Sequence, residues 1–123
     1  MPATDIDSDR DYTDEQFSAQ GVFRTERSKA VCAYFEPGQF IPVHAPDSDV
    51  TVVVQSGTGL VRDGDTDHEV EPGSVVSVPA GQDRGVRATE GERLEAVLVT
   101  APPPTDAEHE PVRRGLRNGE FEP

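Results

Sequence analysis

Short runs of alternating apolar and polar residues fill the chain between residues 21 and 103. The runs are rich in β-branched residues and are separated by Gly, Pro and Asp at close intervals, which is typical of a barrel or a sandwich. The pattern predicts strands over residues 22–24, 29–35, 39–44, 50–55, 59–62, 66–70, 75–78, 84–89 and 94–100. No segment shows an extended helical period, so the predicted fold class is all-β.

The two ends of the chain differ from this β-rich middle. Residues 1–20 are acidic and hold few large apolar groups, which predicts a flexible arm. Within the arm, Thr13 and Gln16 match a capping box and would support one short helix. Three prolines at 102–104 end the last strand because none can donate a backbone hydrogen bond. We therefore predict an arm over 1–20, a barrel over 21–103 and a flexible tail over 104–123.

The tail mixes arginine with glutamate. Its basic residues are Arg113, Arg114 and Arg117. Such a stretch is either a solvated extension or an arginine cluster that docks on the acidic surface of this subunit or a neighbouring one. Both interpretations remain open from the sequence.

The charge of the chain restricts its partners and its setting. Acids outnumber bases by 24 to 11, the formal net charge is −13, and Lys29 is the sole lysine. A field of that sign repels phosphate backbones and anionic lipid, so we expect no nucleic-acid and no membrane partner. Abundant carboxylates with almost no lysine favour a halophilic protein, and an ordinary acidic domain is the alternative. Without a leader or a long apolar run, we expect a cytoplasmic location.

Cys32 is the sole cysteine of the chain, so no intramolecular disulfide can form. Its apolar neighbours favour a small core residue. A catalytic thiol is the alternative, but no basic residue flanks Cys32 to lower its pKa.

Two groups of Gly, Pro and His keep a recognisable spacing. The first has the pattern G-x5-H with a later closing glycine, and the second has the pattern G-x5-P-x-G. Their members are Gly38, His44, Gly57, Gly73, Pro79 and Gly81. These residues resemble the two conserved motifs of the cupin family, with a match over about residues 21–103. The resemblance implies a single-domain cupin-type β-barrel, that is, a double-stranded β-helix or jelly roll.

The metal site that the resemblance implies is altered in this chain. Metal-binding cupins coordinate one divalent ion, such as Fe, Mn, Ni, Cu or Zn, through three histidines and a glutamate. The matching positions hold His44, Pro46, Val50 and Arg84. His44 alone can ligate a metal, and the guanidinium of Arg84 would repel one. Because a metal site generally needs at least three protein ligands, we predict no metal and no other cofactor.

The strand period of two directs a mixed set of side chains into the barrel. We predict that the ligand-binding residues are His44, Val50, Val52, Arg84 and Val86. A buried arginine is costly to leave unpaired, and its planar fork of donors suits a carboxylate. We therefore expect metal-independent binding of a small anionic ligand of the carboxylate type, and we assign no catalytic residue.

Other interpretations of the same residues remain open. Arg84 can instead pair with a nearby acid and merely close the barrel mouth, the candidates being Asp47, Asp49 and Asp83. A metal-dependent enzyme of the dioxygenase or isomerase type would need a site rebuilt from His44 with Asp47, Asp49 or His68. The resemblance also includes metal-independent enzymes, for which His44 would be the base and Tyr34 the nearest candidate acid.

A third class is a non-catalytic structural or regulatory module. Cupins commonly pair through sheet edges, and we interpret Val53, Val76 and Val97 as outward-facing residues that suit an interface. The sequence thus favours a homodimer without identifying any other partner.

Overall fold

A computed structural model describes residues 2–123, so Met1 of the predicted arm lies outside the described residues. Nine strands form two antiparallel sheets. The strands are β1 (Ser18–Arg24), β2 (Lys29–Phe35), β3 (Phe40–His44), β4 (Asp49–Gly57), β5 (Gly59–Asp63), β6 (Thr66–Val70), β7 (Val75–Val78), β8 (Arg84–Ala88) and β9 (Leu94–Ala101). One sheet has the order β1-β2-β9-β4-β7 and the other the order β3-β8-β5-β6. The all-β prediction is confirmed.

The core lies between the inner faces of the two sheets. In β4, Val50, Val52 and Val54 are buried while the intervening Thr51 and Val53 are not, as the alternation of a strand requires. Each buried valine contributes about 1.5 kcal/mol or more to folding. The cluster consists of Ala33, Phe35, Val50, Val52, Val54, Val61, Val70, Val78, Val86, Ala88, Leu94 and Ala96.

Gly57 is fixed by the close approach of two strands. Its φ is +79°, a left-handed conformation. A Cβ atom added at Gly57 would lie 1.8 Å from the carbonyl oxygen of Arg93. The closing glycine of the first motif therefore has a steric origin, since any larger residue would force β4 away from β9.

The outer face of the five-stranded sheet carries a buried carboxylate that binds the N-terminal arm. Glu95 of β9 is only 2% exposed. It accepts hydrogen bonds from Arg10 Nε at 2.6 Å and from the Tyr12 hydroxyl at 2.5 Å. The Tyr34 hydroxyl donates to the carbonyl of Ile6 at 2.6 Å. Burial acts to raise the pKa of Glu95, but the bonds from Arg10 and Tyr12 outweigh it and lower that pKa.

The short helix predicted at Thr13 is wrong. Residues 14–16 form bends, and the Thr13 hydroxyl donates to the carbonyl of Gln16. A capping box needs the opposite polarity, with the hydroxyl accepting from the backbone N–H of the third helical residue. The first strand begins at Ser18, inside the segment that the sequence assigned to the arm.

The C-terminal segment contains a helix that the sequence analysis did not predict. A single 3-10 turn, Ala107–His109, leads into α1 (Glu110–Asn118). Gly119 ends the helix in a left-handed conformation, with its N–H directed to the carbonyls of Gly115 and Leu116. Gly115 lies against Pro42 of β3, where an added Cβ would approach the ring to 2.6 Å. No helix within residues 2–123 has the length and apolar character needed to cross a membrane.

The end of the chain is fastened to the four-stranded sheet. The backbone N–H of Val43 donates to the carbonyl of Phe121 at 2.7 Å, and the Phe121 ring meets Phe40 edge to face at 5.8 Å. Glu122 pairs with Arg62. These contacts and the packing of Gly115 on Pro42, not the arginine cluster, hold the tail against the barrel.

Two of the three basic residues of the tail find partners within their own segment. Arg113 pairs with Asp106 and Glu110, and Arg117 pairs with Glu110 at 3.3 Å. The arginine docking on this subunit's acidic surface is therefore not seen.

The prediction that Val76 faces outward is wrong. Val76 pairs with Val52 of β4 and packs against the core. Its neighbour Val75 faces outward and is 62% exposed. Because side chains alternate along a strand, a shift of one position exchanges the two faces.

We expect Tyr12→Phe to lower the free energy of unfolding by about 1 to 2 kcal/mol, because it removes one hydrogen bond to a charged, buried acceptor. The substitution keeps the edge-to-face contact between Tyr12 and Tyr34. Urea denaturation in molar KCl measures the change, with Thr4→Ala as the control on the same arm. Equal stability of Tyr12→Phe and wild type would show that the Tyr12–Glu95 hydrogen bond does not stabilise the fold.

Candidate functional site

A cavity of about 160 Å³ lies inside the barrel between the two sheets. The inward-facing apolar residues of the alternating strands form its apolar walls. The structure brings all five predicted ligand-binding residues to its lining, namely His44, Val50, Val52, Arg84 and Val86. Residues from the C-terminal segment complete one side of the wall, namely Pro104, His109 and Val112.

His44 and Arg84 meet because their strands pair. His44 ends β3, Arg84 begins β8, and the two residues are direct partners in the antiparallel register. Both side chains line the cavity. The two polar groups that the motifs single out therefore share one end of the site.

Arg84 places a positive charge inside the barrel without a carboxylate in contact. The residue is 6% exposed. Its Nη1 donates to the Ser48 carbonyl at 2.5 Å and its Nη2 to the Ser48 hydroxyl at 3.0 Å. A guanidinium has five N–H donors, so donors remain for another group. Burial lowers the pKa of Arg84 to about 10, which leaves the group protonated at neutral pH.

The predicted pairing of Arg84 with Asp47, Asp49 or Asp83 is wrong. Within residues 2–123, no acid lies within ion-pair distance of Arg84. Asp49 instead accepts the backbone N–H of Ala80 at 2.9 Å. The charges of Glu108 and Asp49 act from a distance and only partly offset the effect of burial on the pKa of Arg84.

His44 is a neutral imidazole at physiological pH. Its Nδ1 lies 2.9 Å from the carbonyl oxygen of Pro42, which fixes this nitrogen as the protonated one. Burial lowers the pKa of His44 to about 4, and the positive charges of Arg84 and His109 act in the same direction.

Sequence reasoning missed three polar residues of the cavity wall, namely Lys29, Thr100 and His109. The sequence could have predicted that Lys29 faces inward, because the strand period places it on the same face as the inward Val31. Thr100 pairs with Lys29 and lies on the same face. His109 had no such signal, because it lies in the unpredicted C-terminal segment. With Arg84 and His44 they make a lining rich in donors, in which no Asp or Glu takes part.

The rebuilt metal site is not assembled. His68 lies on the β5–β6 hairpin, where its Nε2 is 3.2 Å from a carboxylate oxygen of Asp63. Asp49 is bonded to Ala80, and Asp47 gives its backbone N–H to Glu108. Across residues 2–123, no three His, Cys, Asp or Glu side chains are grouped closely enough to hold a metal ion. The donors present at the motif positions do not fit the metal of the resembled family.

The acid and base considered for metal-independent catalysis lie apart. Tyr34 is on the outer face of β2 beneath the N-terminal arm, whereas His44 lines the cavity. Cys32 is also buried on that outer side, and burial raises the pKa of its thiol. This environment fits a structural cysteine.

We expect His44 to make the protein less stable in mild acid. Its pKa is lowered from 6.5 to about 4, so between these values the unfolded chain binds more protons than the folded one. Stability is therefore lost as the pH falls from 6.5 to 4, by up to about 3 kcal/mol. Urea denaturation of wild type and His44→Gln across this range isolates the contribution, because other carboxylates titrate equally in both. His68→Gln is the exposed control. A parallel pH dependence of wild type and His44→Gln would contradict the expectation.

Known proteins resemble the chain in sequence and in fold. A family model for the cupin domain matches residues 32–100. The crystal structure of TT1209 from Thermus thermophilus is 30% identical, with a TM-score of 0.81 and coverage of 85% of this chain and 100% of that one. An RmlC-like cupin from Desulfovibrio desulfuricans is 28% identical, with a TM-score of 0.74 and coverage of 84% and 98%.

More distant structures share the fold alone. The polyketide cyclase RemF from Streptomyces resistomycificus is 17% identical, with a TM-score of 0.65 and coverage of 73% of this chain and 68% of that one. No curated protein matches the chain. Since the family model spans more than half of the chain and the two-sheet barrel agrees with it, the protein belongs to the cupin family.

Proposed function

We propose that the protein binds a small carboxylate in the barrel cavity, without a metal ion, and that Arg84 is the anchor. The observation that carries the proposal is a guanidinium 6% exposed and bonded to Ser48, in a cavity whose lining includes no acid. A carboxylate offers two oxygens in the geometry that an arginine fork accepts. The acidic, lysine-poor composition supports a salt-rich cytoplasm as the setting of this function.

The buried charge supplies a driving force for anion binding. The fall in the pKa of Arg84 from its ordinary value to about 10 corresponds to a cost of about 3 kcal/mol for keeping the group charged in the folded protein. This cost is present at every pH below 10. An anion that enters the cavity offsets it, because a buried charge is tolerated when it is paired and hydrogen-bonded.

The size of the cavity limits the body of the ligand. Its volume is about 160 Å³, close to the roughly 150 Å³ of an engineered apolar cavity that accommodates benzene. The walls around this space are valines with Ile41 and Leu98. We therefore favour carboxylates with a compact hydrocarbon body of about the size of a benzene ring.

Binding of butyrate, pentanoate and benzoate tests the proposal. We expect each to raise the melting temperature of the wild type in molar KCl, and calorimetry to give a dissociation constant at least tenfold higher for Arg84→Gln, because a charge-assisted pair is lost. Gln can still donate to Ser48, which favours folding. Arg114→Gln on α1 is the control with the same change in charge.

Three outcomes would contradict the proposal. One is equal binding of the carboxylates by wild type and folded Arg84→Gln. Another is equal binding of butyramide and butyrate, since the amide has the shape of the acid without its charge. Binding of none of the three acids by the wild type would also overturn it.

The outer face of the five-stranded sheet supports a second proposal, that two copies of the chain pair. Its exposed apolar residues are Phe23, Val75 and Val99, at 37%, 62% and 38% exposure. Val53 and Val97 pair with each other between them. A continuous apolar face on one sheet is the kind of surface that a symmetric dimer buries.

We expect the wild type to be a dimer by light scattering in molar KCl, and Val75→Asp to be a monomer, because the substitution places a charge at the most exposed apolar residue of the contact. Thr66→Asp, at an exposed residue of the other sheet, adds the same charge and keeps the dimer. A monomeric wild type, or a Val75→Asp variant that remains a dimer, would contradict this arrangement.

A further inference from the structure

Two cations line the cavity from opposite sheets. Arg84 belongs to β8 of the four-stranded sheet and Lys29 to β2 of the five-stranded sheet. Within residues 2–123, neither has an acid within ion-pair distance. The sole lysine of a chain with a net charge of −13 therefore faces the same internal space as its buried arginine.

The strand register separates the two cations along the cavity. Lys29 pairs with Thr100 of β9, and Thr100 pairs with Val50 of β4. Neighbouring strands are about 4.8 Å apart, so the backbone of Lys29 lies about 10 Å from that of Val50. The guanidinium of Arg84 is bonded to Ser48, immediately before β4. Lys29 thus marks one end of the cavity on β2, and Ser48, which holds the Arg84 guanidinium, marks the other end just before β4, with β9 between these two strands.

The space between these ends is apolar. Val50, Val52 and Leu98 contribute side chains to it from the five-stranded sheet. His109 adds a further donor to the lining of the same cavity. Each end of the cavity therefore offers hydrogen-bond donors, with hydrocarbon between them.

From this arrangement we infer that the ligand is a short dicarboxylate, with one acid group on Arg84 and the second on Lys29, and with its hydrocarbon spacer against the valines. The inference rests on the proposed carboxylate binding and makes Lys29 the residue that determines specificity. A compact dianion such as a phosphate monoester fits less well, because it concentrates its charge at one point and leaves the other cation without a partner.

Matched pairs of acids test this inference. Glutarate with pentanoate, and adipate with hexanoate, have equal chain length and differ in the second acid group. By calorimetry we expect at least one dicarboxylate to bind the wild type tenfold or more tightly than its partner acid. Lys29→Met should remove that advantage while leaving the affinity for pentanoate and hexanoate within about twofold. Arg27→Met, in the exposed β1–β2 turn, is the control with the same loss of charge.

The outcomes separate this inference from the function on which it rests. If the monocarboxylates bind through Arg84 but neither dicarboxylate binds more tightly than its partner acid, the inference of a dicarboxylate ligand is wrong and the proposed function stands. An advantage that persists in Lys29→Met, or that Arg27→Met removes equally, would also overturn the role of Lys29. Failure of all four acids to bind would overturn both.

Discussion

A guanidinium held in an apolar barrel is the constraint on which the interior depends. Arg84 stays charged at neutral pH although burial lowers its pKa to about 10, and its contacts are the carbonyl and hydroxyl of Ser48. The neighbouring His44 is neutral, so the charge is not doubled at this end of the cavity. The barrel thus concentrates positive potential at a point inside a strongly acidic protein. That positive charge is local, because the net charge of −13 makes the field of the protein as a whole negative.

The two faces of the five-stranded sheet have different roles. Its inner face supplies the valines of the core and the wall of the cavity. Its outer face buries Glu95 under the N-terminal arm and leaves Val75 and Val99 exposed. Strand alternation makes this division possible, because residues one position apart serve opposite surfaces.

The sequence predicted the elements that follow from local rules. Strand periodicity identified the all-β fold and directed Val50, Val52 and Val86 inward, and the motif spacing identified the family. The sequence-based prediction failed for features that long-range contacts determine. The absence of an acid beside Arg84 depends on which strands lie next to each other, and so does the separation of Tyr34 from His44. The pattern of apolar and polar residues in a single sequence does not specify which strands are neighbours.

The C-terminal helix shows a different limit. Its signals were present, with a proline in the first turn and Gly119 at the end, but a nine-residue segment has little helical stability alone. Packing of Gly115 on Pro42 supplies the stability that intrinsic helix propensity does not. The error at Val76 has a simpler origin, since one residue of register exchanges the faces of a strand.

The wall that this C-terminal segment contributes has an evolutionary consequence. Pro104, His109 and Val112 touch the cavity but belong to no strand of the barrel. Mutations at these positions can therefore reshape the cavity without disturbing the backbone pairing that keeps the sheets together. The shape of the cavity can change through one end of the chain while the scaffold stays under separate selection.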